Sequence, residues 1–289
     1  MGAKGATAAA PCESAQIIAW VLALFALTLL GALPLLLQGL SLNNISWATP
    51  HIALILLGML VTSCSPTLAA LLVAEFYPRA GRIYSIARQI RIWRVAVSWY
   101  VIAILGPFLL LLAAEAIDAC LLGRAPSHWL TWPSFSGPGG LYFVIFGSLL
   151  AEEPGWRGFA QPRLQTRYSA LTASIFIGLL WSTWHLWYVI LPGGFSNVTA
   201  VDVMATYVRL TATAVLYAWM YNSTNGSLLI AMLAHTGHNL AASFIPTPPN
   251  SARLLINAIA YFLVATLVVL VTDWRTLRWP KTTDPQGAA

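Results

Sequence analysis

Apolar residues run through this chain in long blocks, separated by short polar or basic stretches. A hydrocarbon core about 30 Å thick needs about 20 apolar helical residues to cross it. Blocks of that scale lie near residues 15–40, 51–74, 95–121, 139–158, 169–191, 200–221, 227–246 and 252–272. The pattern predicts an all-α fold, a polytopic membrane protein with about eight transmembrane helices. Short polar connectors such as Asn222–Gly226 and 246–250 suit tight turns between antiparallel helices. No repeat, linker or low-complexity tract divides the chain. The reading is one helical domain over 15–272, with tails over 1–14 and 273–289. Two blocks are flawed: the one near 139–158 meets two carboxylates after Leu150, and the one near 227–246 holds two histidines and an asparagine. Polar groups are costly in a membrane span, so the chemistry is to be sought there.

Composition strengthens this picture. Hydrophobic residues make up 58% and charged residues 8% of the chain, against roughly 25% charged in an ordinary soluble domain. So few charges cannot cover a globule in water, but they suffice where most of the surface faces lipid. The formal net charge of +6 does not point to nucleic acid, because the arginines sit between apolar runs and no aromatic-basic platform accompanies them. Cys12, Cys64 and Cys120 are far apart and lack metal-ligand spacing. The apolar run after the N-terminal residues is too long for a signal h-region and reads as an uncleaved first span.

Basic residues set the expected orientation. Arg79, Arg82, Arg88, Arg91 and Arg94 lie between the second and third blocks, and Arg157, Arg163 and Arg167 follow the fourth. Arg275, Arg278 and Lys281 follow the last, whereas the alternate connections carry only Arg124. Positive-inside bias then puts both termini in the cytoplasm. The stretch 81–94 has Ile83, Ile86, Ile90 and Trp93 at near-helical spacing, which suits an amphipathic helix on the leaflet or a plain basic loop.

Glu152 and Glu153 are adjacent, and neighbouring helical positions point about 100° apart, so the two can serve different tasks. Arg157, four residues after Glu153, is its natural ion-pair partner, which leaves Glu152 for chemistry. Pro154 and Gly155 predict a local opening of the helix. The plain alternative is a buried ion pair that ties helices together. His185 sits deep in the fifth block among tryptophans, where a packing role is the plain alternative. His235 and Asn239 are four apart and share a helix face, and each can donate a hydrogen bond to a developing oxyanion. Interhelical hydrogen bonding is the alternative for them, and His238 is expected to serve packing. Depth counting puts Glu152, His235 and Asn239 at similar levels, about 10–20 Å from the cytoplasmic boundary, and His185 somewhat deeper. Arg209, within the sixth block, is expected to pair with Glu115 or Asp118 or to bind a substrate carboxylate.

Together these segments resemble the CPBP family of intramembrane proteases, which includes CAAX prenyl endopeptidases and bacteriocin-immunity proteins. Glu152, Glu153 and Arg157 match its first motif; Trp181 and His185 match its second, with tryptophan for the commoner phenylalanine; His235 and Asn239 match its third. The resemblance covers about residues 140–245. It implies an integral, multi-pass intramembrane endopeptidase with its protease domain over 15–272 and its motifs within 139–246, acting on a membrane-associated protein or peptide, prenylated and of CAAX type for part of the family, in a cavity open to the cytoplasm. Glu152, helped by His185, would activate water; His235 and Asn239 would stabilise the oxyanion; Glu153 with Arg157 would hold the motif in place. The expected partners are that substrate and the lipid bilayer, with no nucleic acid. No cofactor is expected. A competing account places zinc at Glu152, His185 and His235. Two other functional classes compete: a non-catalytic membrane scaffold or bacteriocin self-immunity protein of the same fold, and a transporter using Arg209. The chain lacks the inverted halves expected of the transporter.

Overall fold

A computed structural model of the chain describes residues 10–77, 83–121, 130, 132, 151–194, 196, 198–245 and 251–279. Its helices are α1 (Ala10–Leu37), α2 (Ile52–Phe76), α3 (Ile83–Ile90), α4 (Val97–Leu121), α5 (Gln161–Leu164), α6 (Ala170–His185), α7 (Ala200–Ser223), α8 (Leu228–Phe244) and α9 (Ser251–Val271). Seven of the expected spans correspond to α1, α2, α4, α6, α7, α8 and α9. The block near 139–158 lies outside the described residues up to position 150.

Helix starts follow local chemistry. Ser169 caps α6 by accepting from the Thr172 N–H, and Ser227 caps α8 by accepting from the Ile230 N–H. Thr199 and Asp202 form a capping box that starts α7, satisfying donors that a helix N-terminus leaves open. Between α7 and α8 the chain reverses through Asn225 and Gly226, with φ of 55° and 81°. Gly226 accepts that left-handed geometry without a Cβ clash.

Among the described residues, five helical segments are long and apolar enough to cross a membrane: Glu13–Leu37, Ile52–Phe76, Val97–Leu121, Ala170–Ile190 and Ala252–Val271. Large apolar side chains such as Leu22, Leu37, Leu109, Leu263 and Leu270 stand exposed on their outer faces. An exposed apolar surface on this scale requires lipid rather than water. This is an all-α polytopic membrane fold. Helices α7 and α8 are not among the five; they carry Arg209 and the trio His235, His238 and Asn239.

Inside the bundle a core built around Trp20, Trp156, Phe159, Ile177, Leu228 and Ile230 joins α1, α2, α6, α7 and α8 to the segment after Glu153. Close backbone approach positions two elements of the site. A Cβ on Gly237 would come within 2.8 Å of the Ala103 and Ile104 carbonyl oxygens, so α8 can lie directly on α4. A Cβ on Gly155 would strike the backbone of Pro66 in α2. Small residues let membrane helices meet this closely.

The expected kink at Pro154 takes a specific form: residues Pro154–Ala160 are a π-helix running into α5. Such wide turns recur at functional sites. The basic stretch near 81–94 forms a short helix, α3, with Ile86 buried and Ile83 and Tyr84 exposed.

Candidate functional site

The two glutamates stand at the head of the π-helix, and both are withdrawn from the surface, Glu152 at 7% and Glu153 at 0% exposure. Arg157 reaches back one turn to Glu153, Nη1 to Oε1 at 3.1 Å, with both side chains fully buried. Its guanidinium also lies over the rings of Trp181 and Tyr217, 5.1 Å from each centroid. An ion pair and two π faces thus compensate a charge that would otherwise be very costly at this depth.

His235, 3% exposed on α8, bridges the two carboxylates. Its Nδ1 is 2.9 Å from Glu153 Oε1, and its Nε2 is 3.8 Å from Glu152 Oε1. Glu153 therefore has a second task besides its pairing with Arg157. With Glu153 accepting from Nδ1–H, the ring is fixed in orientation and its other nitrogen is turned toward Glu152. The remaining oxygen of Glu152, Oε2, accepts a 2.7 Å hydrogen bond from the Trp181 indole N–H. A phenylalanine there would supply the ring but no donor.

His185 ends α6, and its Nδ1 lies 3.1 Å from the Trp181 carbonyl oxygen, one turn back. Its ring packs edge-on against Trp181 and Trp184, with centroids 5.3 and 4.8 Å away. Trp181 in turn packs on His235 at 5.6 Å. The near neighbour of Glu152 among the histidines is thus His235, and Trp181 links His185 to the pair. Asn239 stands one turn beyond His235 on α8, on the same face. His238 turns elsewhere, to the hydroxyl of Tyr261 on α9 at 2.6 Å.

Glu115 and Asp118 on α4 face Arg253 of α9 in a buried ion cluster. The alternative in which Arg209 served them is thereby corrected: Arg253, at the start of α9, lies opposite these acids, whereas Arg209 Nη1 is 3.5 Å from His238 Nε2.

Exposure varies across the site in one direction. On the α3 side it is closed: Gln89 donates to the Gly158 carbonyl at 3.1 Å and accepts from Tyr221 OH at 2.7 Å. Arg157 and Gln161 there are fully buried. His185, Arg209, His238 and Asn239, at the other end, are all partly exposed. The α3 side, which the sequence expects to face the cytoplasm, is thus closed by these contacts among the described residues.

The sequence reading missed three contributors: the Trp181 N–H, the Tyr217 face over Arg157, and the bond from His235 to Glu153. Among the described residues, no three His, Cys, Asp or Glu side chains group as ligands of a metal ion.

Comparison with known proteins bears on this same segment. Residues 134–241 match the family model described as Rce1-like, type II CAAX prenyl endopeptidase. CAAX prenyl protease 2 of Methanococcus maripaludis is 29% identical over 134 residues, covering 44% of this chain and 49% of that protein. The chain thus spans about half the length of the curated relative it matches. The matched region contains both glutamates, Arg157, Trp181, His185, His235 and Asn239.

Proposed function

We propose that this chain, whose central segment is that of a CPBP-type, CAAX-protease-like membrane protein, hydrolyses a peptide bond near the C-terminus of a membrane-associated, prenylated protein or peptide. The observation that carries the reading is the bridge of His235 between Glu152 and Glu153, at 3.8 and 2.9 Å, inside a membrane bundle.

In this mechanism Glu152 takes a proton from a water molecule as the oxygen attacks the scissile carbonyl carbon. The new C–O bond forms, the carbonyl oxygen becomes an oxyanion, and the C–N bond then breaks as the leaving amine takes up the proton. Glu153 holds His235 through Nδ1, and the charge balance favours a proton on Nε2 as well. Two carboxylates, one guanidinium and one imidazolium sum to zero, the cheapest arrangement for a buried cluster. The Nε2–H then donates to the oxyanion, with Asn239 as a second donor on the same helix face. His185, held on Trp181, borders the water. Trp181 fixes one oxygen of Glu152 so that the other faces His235.

The test is direct. Purified protein in lipid is given an internally quenched peptide ending in S-farnesyl cysteine and three further residues, a prenylated C-terminal motif. Single-site cleavage with one solvent oxygen in the new carboxylate, unchanged by a zinc chelator, is the expected result. Loss of activity with chelator and its return with zinc would establish the metal-dependent alternative. Uncut prenylated and unprenylated peptides would overturn the proposal.

Topology has its own test. In a variant lacking Cys12, Cys64 and Cys120, Arg88→Cys in α3 and Asn44→Cys in the α1–α2 connection are expected to label from opposite sides of sealed cells, position 88 from the cytoplasm. Labelling of both from one side would refute the arrangement with both termini cytoplasmic.

A further inference from the structure

Arg209 is a guanidinium partway along α7, roughly 14 Å from the start of that helix. Such a group is expensive in a membrane and marks a ligand or a partner. Its partner is not an acid: among the described residues, no carboxylate lies within ion-pair distance of it. The site glutamates face His235, Arg157 and Trp181. Glu115 and Asp118 face Arg253. The polar group that Arg209 meets is His238, Nη1 to Nε2 at 3.5 Å. With Nε2 accepting from Arg209, Nδ1–H donates to Tyr261 OH. This chain of contacts orients the guanidinium, uses one of its five N–H donors and leaves its charge unneutralised.

The position of Arg209 relative to the site suggests what neutralises it. His238 and His235 are three apart on α8, so their side chains are neighbours about 5–6 Å apart at Cβ. Arg209, which meets His238, therefore borders the site. Arg209 is also on the partly exposed side of the site, with His185 and Asn239.

We propose that Arg209 binds the C-terminal carboxylate of the substrate, and so favours cleavage close to a free chain end. This rests on the endopeptidase reading above and deepens it: the enzyme recognises a terminal anion. A planar carboxylate matches the guanidinium fork, which an ammonium or amide would not reproduce.

The experiment compares two farnesylated peptides identical except for a C-terminal acid or amide. The wild type is expected to prefer the acid by at least about 10-fold in kcat/KM, the loss typical of leaving a buried charge unpaired. Arg209→Gln is expected to bring the acid-to-amide ratio within about 3-fold, and Arg209→Lys to keep part of the preference. The ratio is internal to each preparation, so a lower folded fraction does not mimic the effect. Equal cleavage of acid and amide by the wild type overturns the proposal. So does a ratio untouched by Arg209→Gln while activity shifts between neutral and anionic phospholipid vesicles, which would assign Arg209 to a lipid phosphate. Binding of the same two peptides to Glu152→Gln, with and without Arg209→Gln, separates the two readings. Preferential acid binding that depends on Arg209 supports the carboxylate site even where hydrolysis fails, and equal binding refutes it.

Discussion

Glu152→Gln is expected to abolish hydrolysis, lowering turnover by at least about 1,000-fold, within the range that proton transfer by a positioned base supplies. The substitution keeps the shape of the side chain and its acceptor for the Trp181 indole N–H, which now bonds Oε2 at 2.7 Å. It removes the group that takes the proton from water. The fold should survive, because the ion pair of Arg157 is with Glu153 and not with Glu152. The variant should therefore bind substrate and melt near the wild-type temperature while cutting nothing. Removal of one negative charge beside His235 is the complication. A loss of binding together with turnover would show that Glu152 is needed to build the site. Turnover near normal on a prenylated peptide would refute Glu152 as the base and return attention to His235.

Much of this was legible along the chain because membrane helices announce themselves by composition. The block near 51–74 is α2 over Ile52–Phe76, and the block near 95–121 is α4 over Val97–Leu121. The pairing of Arg157 with Glu153 was equally legible, since residues four apart meet on one helix. Contacts between distant segments were not. Nothing in local spacing says that Glu153 meets His235, because that contact depends on how α8 lies against the π-helix. Trp181 and Tyr217 read as apolar filling in a membrane span. Their roles come from an indole N–H aimed at Glu152 and from ring faces around a buried guanidinium. The partner of Glu115 and Asp118 was missed for a related reason. Arg253 stands at the very start of the block near 252–272, and it turns inward from the first turn of α9.

Arg157→Ala tests whether the motif's cation is structural, catalytic or both. Arg157 and Glu153 are each fully buried, and the guanidinium fills the space between Trp181 and Tyr217. Truncation to alanine leaves Glu153 without its countercharge and opens a cavity between two aromatic rings. Breaking a buried pair in this way costs about 3–5 kcal/mol. For a domain of this size that corresponds to a fall in apparent melting temperature of roughly 10 °C. The double variant Glu153→Met with Arg157→Met separates the roles. Replacing both charges by apolar side chains of similar volume removes the uncompensated carboxylate, so most of the lost thermal stability should return. Activity should not return with it. His235 would have lost the acceptor that holds its Nδ1 at 2.9 Å, and a ring free to rotate no longer presents Nε2 beside Glu152. Turnover in the double variant is expected to stay at least about 10-fold below wild type, the scale of losing a supporting hydrogen bond behind a functional histidine. Recovery of both stability and turnover would show that Glu153 serves the fold alone. Arg157→Ala melting within two or so degrees of wild type, roughly 1 kcal/mol on the same scale, would show that the buried ion pair is not what holds the π-helix in place.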